Sequence, residues 1–296
     1  MILAEPAMSR RSASIGRRPA RSRSIGGASL TSSTPDALWR APSVRLLRPA
    51  AVTCVELSRR GVLDRCSLTV PVGMRLLVVS DPEASASSLL RILAGLSRPS
   101  RGRVEIAGLR DGSAAGWGRR VAYLGPEPGI HRWMTPREAL NLAAGLVEVP
   151  ESDVARRIER AVAWARIPAE ALDRPVSRGG PPLLQRTGFA AALIGDPEVL
   201  LLDEPLRALE THERARLLRL PGQRRTVVLA SRYPASEQGL VSHVVYLRRG
   251  RVALMARVSD LEAAGQPLSA RGVATLADRR AASSAPGAAH GVATRR

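Results

Sequence analysis

The feature that most constrains the fold is a series of short aliphatic runs that alternate with helical segments. Residues 75–79 (Arg-Leu-Leu-Val-Val) and 198–202 (Glu-Val-Leu-Leu-Leu) each have the length and apolar character of a buried strand. Apolar residues at helical spacing follow them, at 86–96 and 210–219. Strands that are buried on both faces and separated by helices form parallel sheets. The sequence therefore predicts an α/β fold with a mainly parallel sheet.

Other segments extend this pattern. Further strands are predicted at 67–72, 103–107, 120–124, 225–230 and 243–247, and a further helix at 183–194. Residues 135–172 are helical in pattern and begin at Thr135, with Glu138 three residues later, which is a capping box. We therefore expect a helical subdomain, at about residues 135–185, inserted between two strands of the sheet.

Both ends of the chain differ from this middle part. The net charge is +19, and residues 1–48 contain nine arginines against Glu5 and Asp36. Residues 1–48 and 263–296 are rich in Arg, Ser, Ala and Gly without periodicity, so we predict a disordered tail at each end of a domain at 49–262. Charge alone would allow these tails to touch acidic lipid or nucleic acid nonspecifically, although a solvated tail explains their composition more simply.

The remaining composition points to the cytoplasm. Cys54 and Cys66 are too few for a disulfide framework. The sequence contains no apolar run of the roughly 18–20 residues that a membrane helix needs. The first residues include Glu5 and lack a secretory apolar core.

Two carboxylates follow the most apolar strand directly. Residues 199–205 read Val-Leu-Leu-Leu-Asp-Glu-Pro, which places Asp203 and Glu204 at the end of a buried strand. Such a pair can anchor magnesium and polarise a water molecule beside a nucleotide. It can also simply end a strand and begin the next loop.

Four stretches, in order along the chain, carry a resemblance to a known family. They are Leu93–Val104, Tyr123–Leu140, Gly195–Pro205 and Val244–Arg251. Together they resemble the nucleotide-binding domain of ABC transporters over about residues 50–262. The resemblance implies a P-loop NTPase-like fold, with an antiparallel β subdomain and the inserted helical subdomain.

The resemblance also implies ligands and partners. It implies ATP and Mg²⁺ as cofactors, with Asp203 and Ser87 as magnesium ligands and Glu204 as the catalytic carboxylate. It implies a membrane permease subunit and a second ABC ATPase subunit as partners, and a peripheral position at the inner face of the membrane.

The phosphate-binding loop departs from the family pattern. The family's two loop glycines fall on Ser80 and Ser85, its lysine on Ala86, and its Ser/Thr on Ser87, which Ser88 follows. The chain contains no lysine at all, and the loop includes two acidic residues and a proline, at positions 81–83. Glycine amides and the lysine bind phosphates in this motif, so the loop is predicted to bind ATP weakly or not at all.

Other positions that the family uses around ATP also differ. The Q-loop glutamine falls on Pro126, the switch histidine on Tyr233, and the signature on 179–183, including Gly180 and Pro181. A different register, over Ser177–Gly180, would keep a serine and two glycines of the signature.

We therefore expect a degenerate ABC-type subunit with a structural or regulatory role. An ATPase with atypical phosphate contacts, and an interaction or nucleic-acid-associated protein that uses its arginine-rich tails, are the alternatives.

Overall fold

The computed structural model describes residues 49–82, 84–110, 116–219 and 225–284. The predicted tail at 1–48 and the last part of the predicted tail at 263–296 lie outside the described residues.

A six-stranded sheet forms the centre of the fold, in the order β10-β9-β3-β8-β7-β6. Strands β9, β3, β8, β7 and β6 run parallel, and β10 pairs with β9 antiparallel. The six strands are β3 (Arg75–Ser80), β6 (Val121–Leu124), β7 (Val199–Asp203), β8 (Thr226–Ala230), β9 (His243–Arg248) and β10 (Arg251–Arg257). The predicted mainly parallel sheet is confirmed.

A second, antiparallel sheet has the order β2-β1-β4-β5. Its strands are β1 (Ala50–Arg59), β2 (Leu63–Pro71), β4 (Arg101–Ile106) and β5 (Leu109–Arg110). Strand β1 bulges at Glu56, whose φ is +51°. Gly102 lies against this bulge, where a Cβ would meet the carbonyl oxygens of Val55 and Glu56 at 2.5 Å, so only glycine fits there.

Helices cover the parallel sheet. They are α1 (Ala86–Leu93), α2 (Trp117–Arg120), α3 (Pro136–Leu146), α4 (Glu151–Ala165), α5 (Gly180–Leu193), α6 (Thr211–Leu218), α7 (Val258–Ala263) and α8 (Ala270–Ser284). Helices α3, α4 and α5 lie between β6 and β7 in the chain, and the insertion predicted at about residues 135–185 covers α3, α4 and the start of α5. The capping box at Thr135 and Glu138 is present, with both of its hydrogen bonds formed.

The core consists of two layers, one on each face of the parallel sheet. Along β3, Leu77 and Val79 belong to one layer, and Leu76 and Val78 to the other. This alternation follows from the period of two in a strand. The first layer includes Phe189 of α5, and the second includes residues of α1 and of the antiparallel sheet.

The predicted disorder from residue 263 onward is wrong for residues 270–284, which form α8. Val273 is fully buried there and Leu276 is 6% exposed. Because only a few apolar residues of α8 face the core among many alanines and arginines, the composition concealed an amphipathic helix.

Candidate functional site

The carboxyl ends of the parallel strands bring most of the predicted site residues together. Asp203 pairs with Ala230 across β7 and β8, and Ser80 pairs with Leu247 across β3 and β9. The loops that leave β3, β6, β7 and β8 therefore start from one edge of the sheet. This edge is where open parallel sheets bind ligands.

The loop between β3 and α1 is held by its own polar groups. The Ser85 side chain caps α1 and accepts a hydrogen bond from the Ser88 backbone N–H at 3.0 Å. The Asp81 carboxylate accepts one from the backbone N–H of Arg249 at 2.9 Å, and the Asp81 N–H donates to the Leu247 carbonyl. The loop is thus tied to the β9–β10 turn through the Asp81 carboxylate, one oxygen of which is bonded to Arg249 and the other buried.

Ala86 is the first residue of α1. The sequence comparison with the family predicts the lysine at this position, and the alanine side chain carries no charge. The basic residue of this helix is Arg91, in its last turn and exposed. It lies more than one helical turn from Ala86, so α1 supplies no ammonium group to the loop.

Asp203 is the most buried acidic residue of the site, with 2% of its surface exposed. Its Oδ1 accepts a hydrogen bond from the Ser87 hydroxyl at 2.8 Å, and its Oδ2 accepts one from the Tyr123 hydroxyl at 3.0 Å. Both carboxylate oxygens are therefore engaged within the chain, which offsets the cost of burying this carboxylate.

Tyr123 is a site residue that the sequence analysis did not assign to this role. Burial raises the pKa of its hydroxyl above the ordinary value, and the negative charge and hydrogen bond of Asp203 raise this pKa further. The hydroxyl therefore remains a donor to Asp203 over the physiological range. Strand β6 lies beside β7 and pairs Tyr123 with Leu201, two residues before Asp203, so this contact follows from the strand order.

Glu204 is directed to a different loop from Asp203. Its backbone has a positive φ of 50°, and its carboxylate accepts a hydrogen bond from the Arg232 backbone N–H at 2.6 Å. The Arg232 guanidinium lies 3.4 Å from the same oxygen, and only 12% of the Glu204 side chain is exposed. Glu204 is thus tied to the loop after β8.

The remaining predicted residues are not joined to Asp203 by hydrogen bonds in the part of the chain that the structure describes. Tyr233 is 69% exposed, beside Arg232. Gly180 and Pro181 begin α5, where Gly180 has a φ of +65° and no side chain caps the helix. Pro181 has no backbone N–H to offer a ligand.

Helix α5 contacts the loop after β7 through Gln185. The Gln185 side chain is 8% exposed and accepts a hydrogen bond from the Ala208 N–H at 2.7 Å. Ala208 lies in the loop that follows Glu204 and Pro205. The inserted helices therefore contact the carboxylate-bearing loop directly.

The donor set at Asp203 matches magnesium in part. A carboxylate oxygen and the Ser87 hydroxyl 2.8 Å apart have the spacing of neighbouring ligands in an octahedral Mg²⁺ shell. Among the described residues, no group of three or more His, Cys, Asp or Glu side chains could hold a metal by itself. Magnesium usually takes its other ligands from water and phosphate.

An apolar groove of about 490 Å³ lies beside this edge. It runs between the end of β6, helix α3 and helix α5, and its walls include Leu96, Leu142 and Leu146. These three leucines are 57%, 54% and 75% exposed. Large exposed apolar side chains that line one groove mark a surface for another molecule. None of the described helices is both long enough and apolar enough to cross a bilayer.

Comparison with known proteins identifies the family. A family model described as ABC transporter matches residues 63–207. The aliphatic sulfonates import ATP-binding protein SsuB 1 of Mesorhizobium japonicum is 32% identical over 223 residues, which are 73% of this chain and 79% of that protein. The nickel import ATP-binding protein NikO of Rhodobacter capsulatus is 32% identical, over 67% of this chain and 85% of its own length.

This chain covers only part of the length of a third relative. An uncharacterised ABC transporter ATP-binding protein of Nostoc is 32% identical over 204 residues, and this chain spans 61% of its length.

Solved structures agree on the fold. An ATP-binding subunit of an ABC transporter superposes with a TM-score of 0.65 at 23% identity, over 72% of this chain and 92% of that one. A dimeric ATP-binding cassette bound to ADP and Pi superposes with a TM-score of 0.62 at 16% identity, over 70% of this chain and 98% of the other. The predicted fold of an ABC nucleotide-binding domain, with its antiparallel sheet, is confirmed.

Proposed function

The chain belongs to the ABC transporter ATP-binding family, and from this premise we propose that it is a degenerate subunit of a transporter complex. In this role the chain keeps the fold and the partner-binding groove, and it hydrolyses ATP slowly or not at all. It acts at the cytoplasmic face of a membrane as a structural or regulatory partner of a permease subunit and of a second ATPase subunit.

The loop between β3 and α1 carries this proposal. It offers the Asp81 carboxylate and no ammonium group, and it is tied to the turn after β9 at Arg249. Loss of one charge-assisted hydrogen bond to a phosphate costs about 1.5–3 kcal/mol before the repulsion by Asp81 is counted. Several such losses at one site make tight ATP binding improbable on energetic grounds.

The two carboxylates after β7 support the same conclusion. Each oxygen of Asp203 accepts one hydrogen bond, from the Ser87 and Tyr123 hydroxyls, and Glu204 is tied to Arg232. If Mg²⁺ binds, Asp203 and Ser87 would hold it, and its charge would stabilise phosphate oxygens. Glu204 would have to leave the Arg232 N–H before it could orient a water molecule.

The groove supports the proposed permease partner. Its apolar walls and exposed leucines suit the apolar face of a helix that projects from a membrane subunit. The two relatives with known cargo are named import ATP-binding proteins, so an importer is the kind of complex we propose.

Titration of the purified chain with Mg-ATP tests the loss of activity. We expect no saturable binding at micromolar nucleotide, and phosphate release that Glu204→Gln does not change. Ala86→Lys is the matched gain-of-function variant, because it returns an ammonium group to the first residue of α1, and we expect measurable tightening of ATP binding. Micromolar binding by the unaltered chain, with turnover that Glu204→Gln abolishes, would refute the degenerate assignment.

The same titration decides the second candidate function, an ATPase with atypical phosphate contacts. The placement of Ser87 beside Asp203 favours it, since this pair is suited to magnesium.

The partner is tested separately by co-purification with a permease encoded beside this chain. We expect Leu142→Asp with Leu146→Asp to abolish it, whereas unchanged recovery would exclude the groove as the docking site.

A further inference from the structure

A cluster of exposed arginines surrounds the bulged end of the antiparallel sheet. We call it the arginine face, and its exposed members are Arg60, Arg65, Arg98, Arg101 and Arg103. They come from three separate parts of the chain: the turn after β1, strand β2, and the segment that leads into and forms β4.

Ser58 brings these segments together. Its hydroxyl accepts a hydrogen bond from the Arg65 N–H at 3.0 Å, and its carbonyl accepts one from the Ser100 N–H at 2.7 Å. It also pairs directly with Arg101 across β1 and β4. The arginines are therefore neighbours in space because of the strand pairing at one residue.

Two of them lie on β4 on either side of Gly102, and both are exposed. Arg103 alternates with the buried Val104, whereas the φ of +90° at Gly102 interrupts the regular alternation before Arg101. Val104 and Ile106 occupy the opposite, buried face. The bulge at Glu56, against Gly102, sets the register that exposes both arginines.

Few carboxylates balance this charge. The nearby acids are Glu56, Asp64 and Glu105. Asp64 is already paired with Arg251 at 2.6 Å and more loosely with Arg65 at 3.8 Å, and Glu105 is paired with Arg110 at 3.2 Å. Within the described residues, no ion pair joins Arg60, Arg98, Arg101 or Arg103 to a carboxylate. Five clustered arginines, four of which have no carboxylate partner among the described residues, present a surface for an external polyanion.

Two observations select the kind of polyanion. The sequence has no aromatic residue between positions 50 and 110, so the face has no platform on which bases could stack. The chain passes from Leu96, in the wall of the groove, to Arg98 within two residues. A membrane subunit seated in that groove would therefore bring the bilayer to the arginines.

We infer that the arginine face binds the anionic headgroups of phospholipids at the membrane on which this chain is proposed to dock. The inference rests on the proposed membrane location, but it requires neither ATP nor the permease. Phosphate groups of the headgroups would accept hydrogen bonds from the guanidinium groups. This contact would hold the domain against the bilayer beside its partner.

Flotation of the full chain with vesicles tests the inference. The vesicles contain phosphatidylcholine alone or with about 30% phosphatidylglycerol, the anionic lipid. The test variant replaces Arg60, Arg101 and Arg103 by Gln. The matched control replaces three exposed arginines elsewhere by Gln, namely Arg166, Arg174 and Arg216, which lowers the net charge equally.

We expect binding only to the anionic vesicles, weakened roughly 100-fold by the test variant, since each arginine near such a surface contributes about fivefold. The control should change binding much less. Equal losses in test and control variants would overturn the inference, because they would show a general effect of net charge. Unchanged vesicle binding by the test variant would overturn it too. So would a test variant that still binds the vesicles and loses only its binding to single-stranded RNA.

This assay contains no permease and no nucleotide, so its failure is distinct from failure of the proposed function. Lost co-purification with the permease but intact vesicle binding would refute only the docking proposal. The reverse result would refute only the arginine face.

Discussion

Replacement of Tyr123 by Phe tests whether the buried carboxylate network has the energetic role that its geometry indicates. The substitution removes one hydroxyl and leaves the ring in place. Asp203 is 2% exposed, so its Oδ2 would lose its 3.0 Å hydrogen bond without gaining free access to water.

The expected cost follows from these contacts. A hydrogen bond to a charged group contributes about 1.5–3 kcal/mol, and an orphaned buried acceptor keeps its desolvation penalty. Ser87 still donates to the other oxygen, which prevents complete isolation of the charge. We therefore expect Tyr123→Phe to lower the free energy of unfolding by about 2 kcal/mol, measured by urea denaturation at neutral pH.

The same substitution should change the alkaline limit of stability. The folded chain holds the pKa of Tyr123 above its unfolded value. Above about pH 10 the unfolded chain releases this proton while the folded chain retains it, so stability falls as the pH rises. We expect Tyr123→Phe to remove this part of the decline.

Tyr233→Phe is the matched control, because that side chain is 69% exposed and its hydroxyl makes no hydrogen bond among the described residues. If the two variants lose the same stability, within about 0.5 kcal/mol, the role assigned to the Asp203 network is incorrect. A double-mutant cycle with Asp203→Asn supplies the coupling energy directly.

Three further predictions concern other parts of the fold. Gly102→Ala should destabilise the chain by about 2 kcal/mol or more in urea denaturation, because its Cβ would meet two carbonyl oxygens at 2.5 Å. Gly118→Ala is the control, since its Cβ meets open space. Equal losses of stability in the two variants would contradict the bulge argument. Arg214→Met should cost about 3–5 kcal/mol in the same measurement, since it leaves Glu237, which is fully buried, without its ion-pair partner. A cost below about 1 kcal/mol would contradict this role of the ion pair. Burial, followed by the charge of Arg257, lowers the pKa of His243, so the unfolded chain binds a proton at a higher pH than the folded chain does. Stability should therefore fall as the pH drops below about 6.5. His243→Asn should reduce this dependence of the melting temperature on pH, and an unaltered dependence would refute the argument.

The sequence was sufficient to predict the strands in which almost every residue is buried. Strands β3, β7 and β8 are apolar runs of five or six residues, and the structure places them near the predicted positions. The capping box at Thr135 was readable because both of its residues act locally. Strand β1 was not predicted, since its bulge at Glu56 interrupts the alternation that marks a strand.

The sequence indicated where the site residues lie in the fold, but it did not indicate their hydrogen-bond partners. Asp203 and Ser87, which the resemblance named as magnesium ligands, lie within hydrogen-bond distance at one edge of the sheet, and their role as ligands stays a prediction. The sequence could not show that Tyr123 occupies the second oxygen, nor that Glu204 turns to Arg232, since both contacts depend on tertiary packing across neighbouring strands. Whether the site binds ATP depends on the same contacts.

The C-terminal helix α8 is part of the folded domain. The layer that contains Leu77 and Val244 also contains Leu268, Val273 and Leu276, and Arg248 is paired with Asp278 at 2.7 Å. Removal of everything after residue 262 would uncover this apolar surface on the sheet. A protease acting on the native protein should therefore cut slowly within α8, and a shortened version for crystallisation must retain α8 to remain monodisperse.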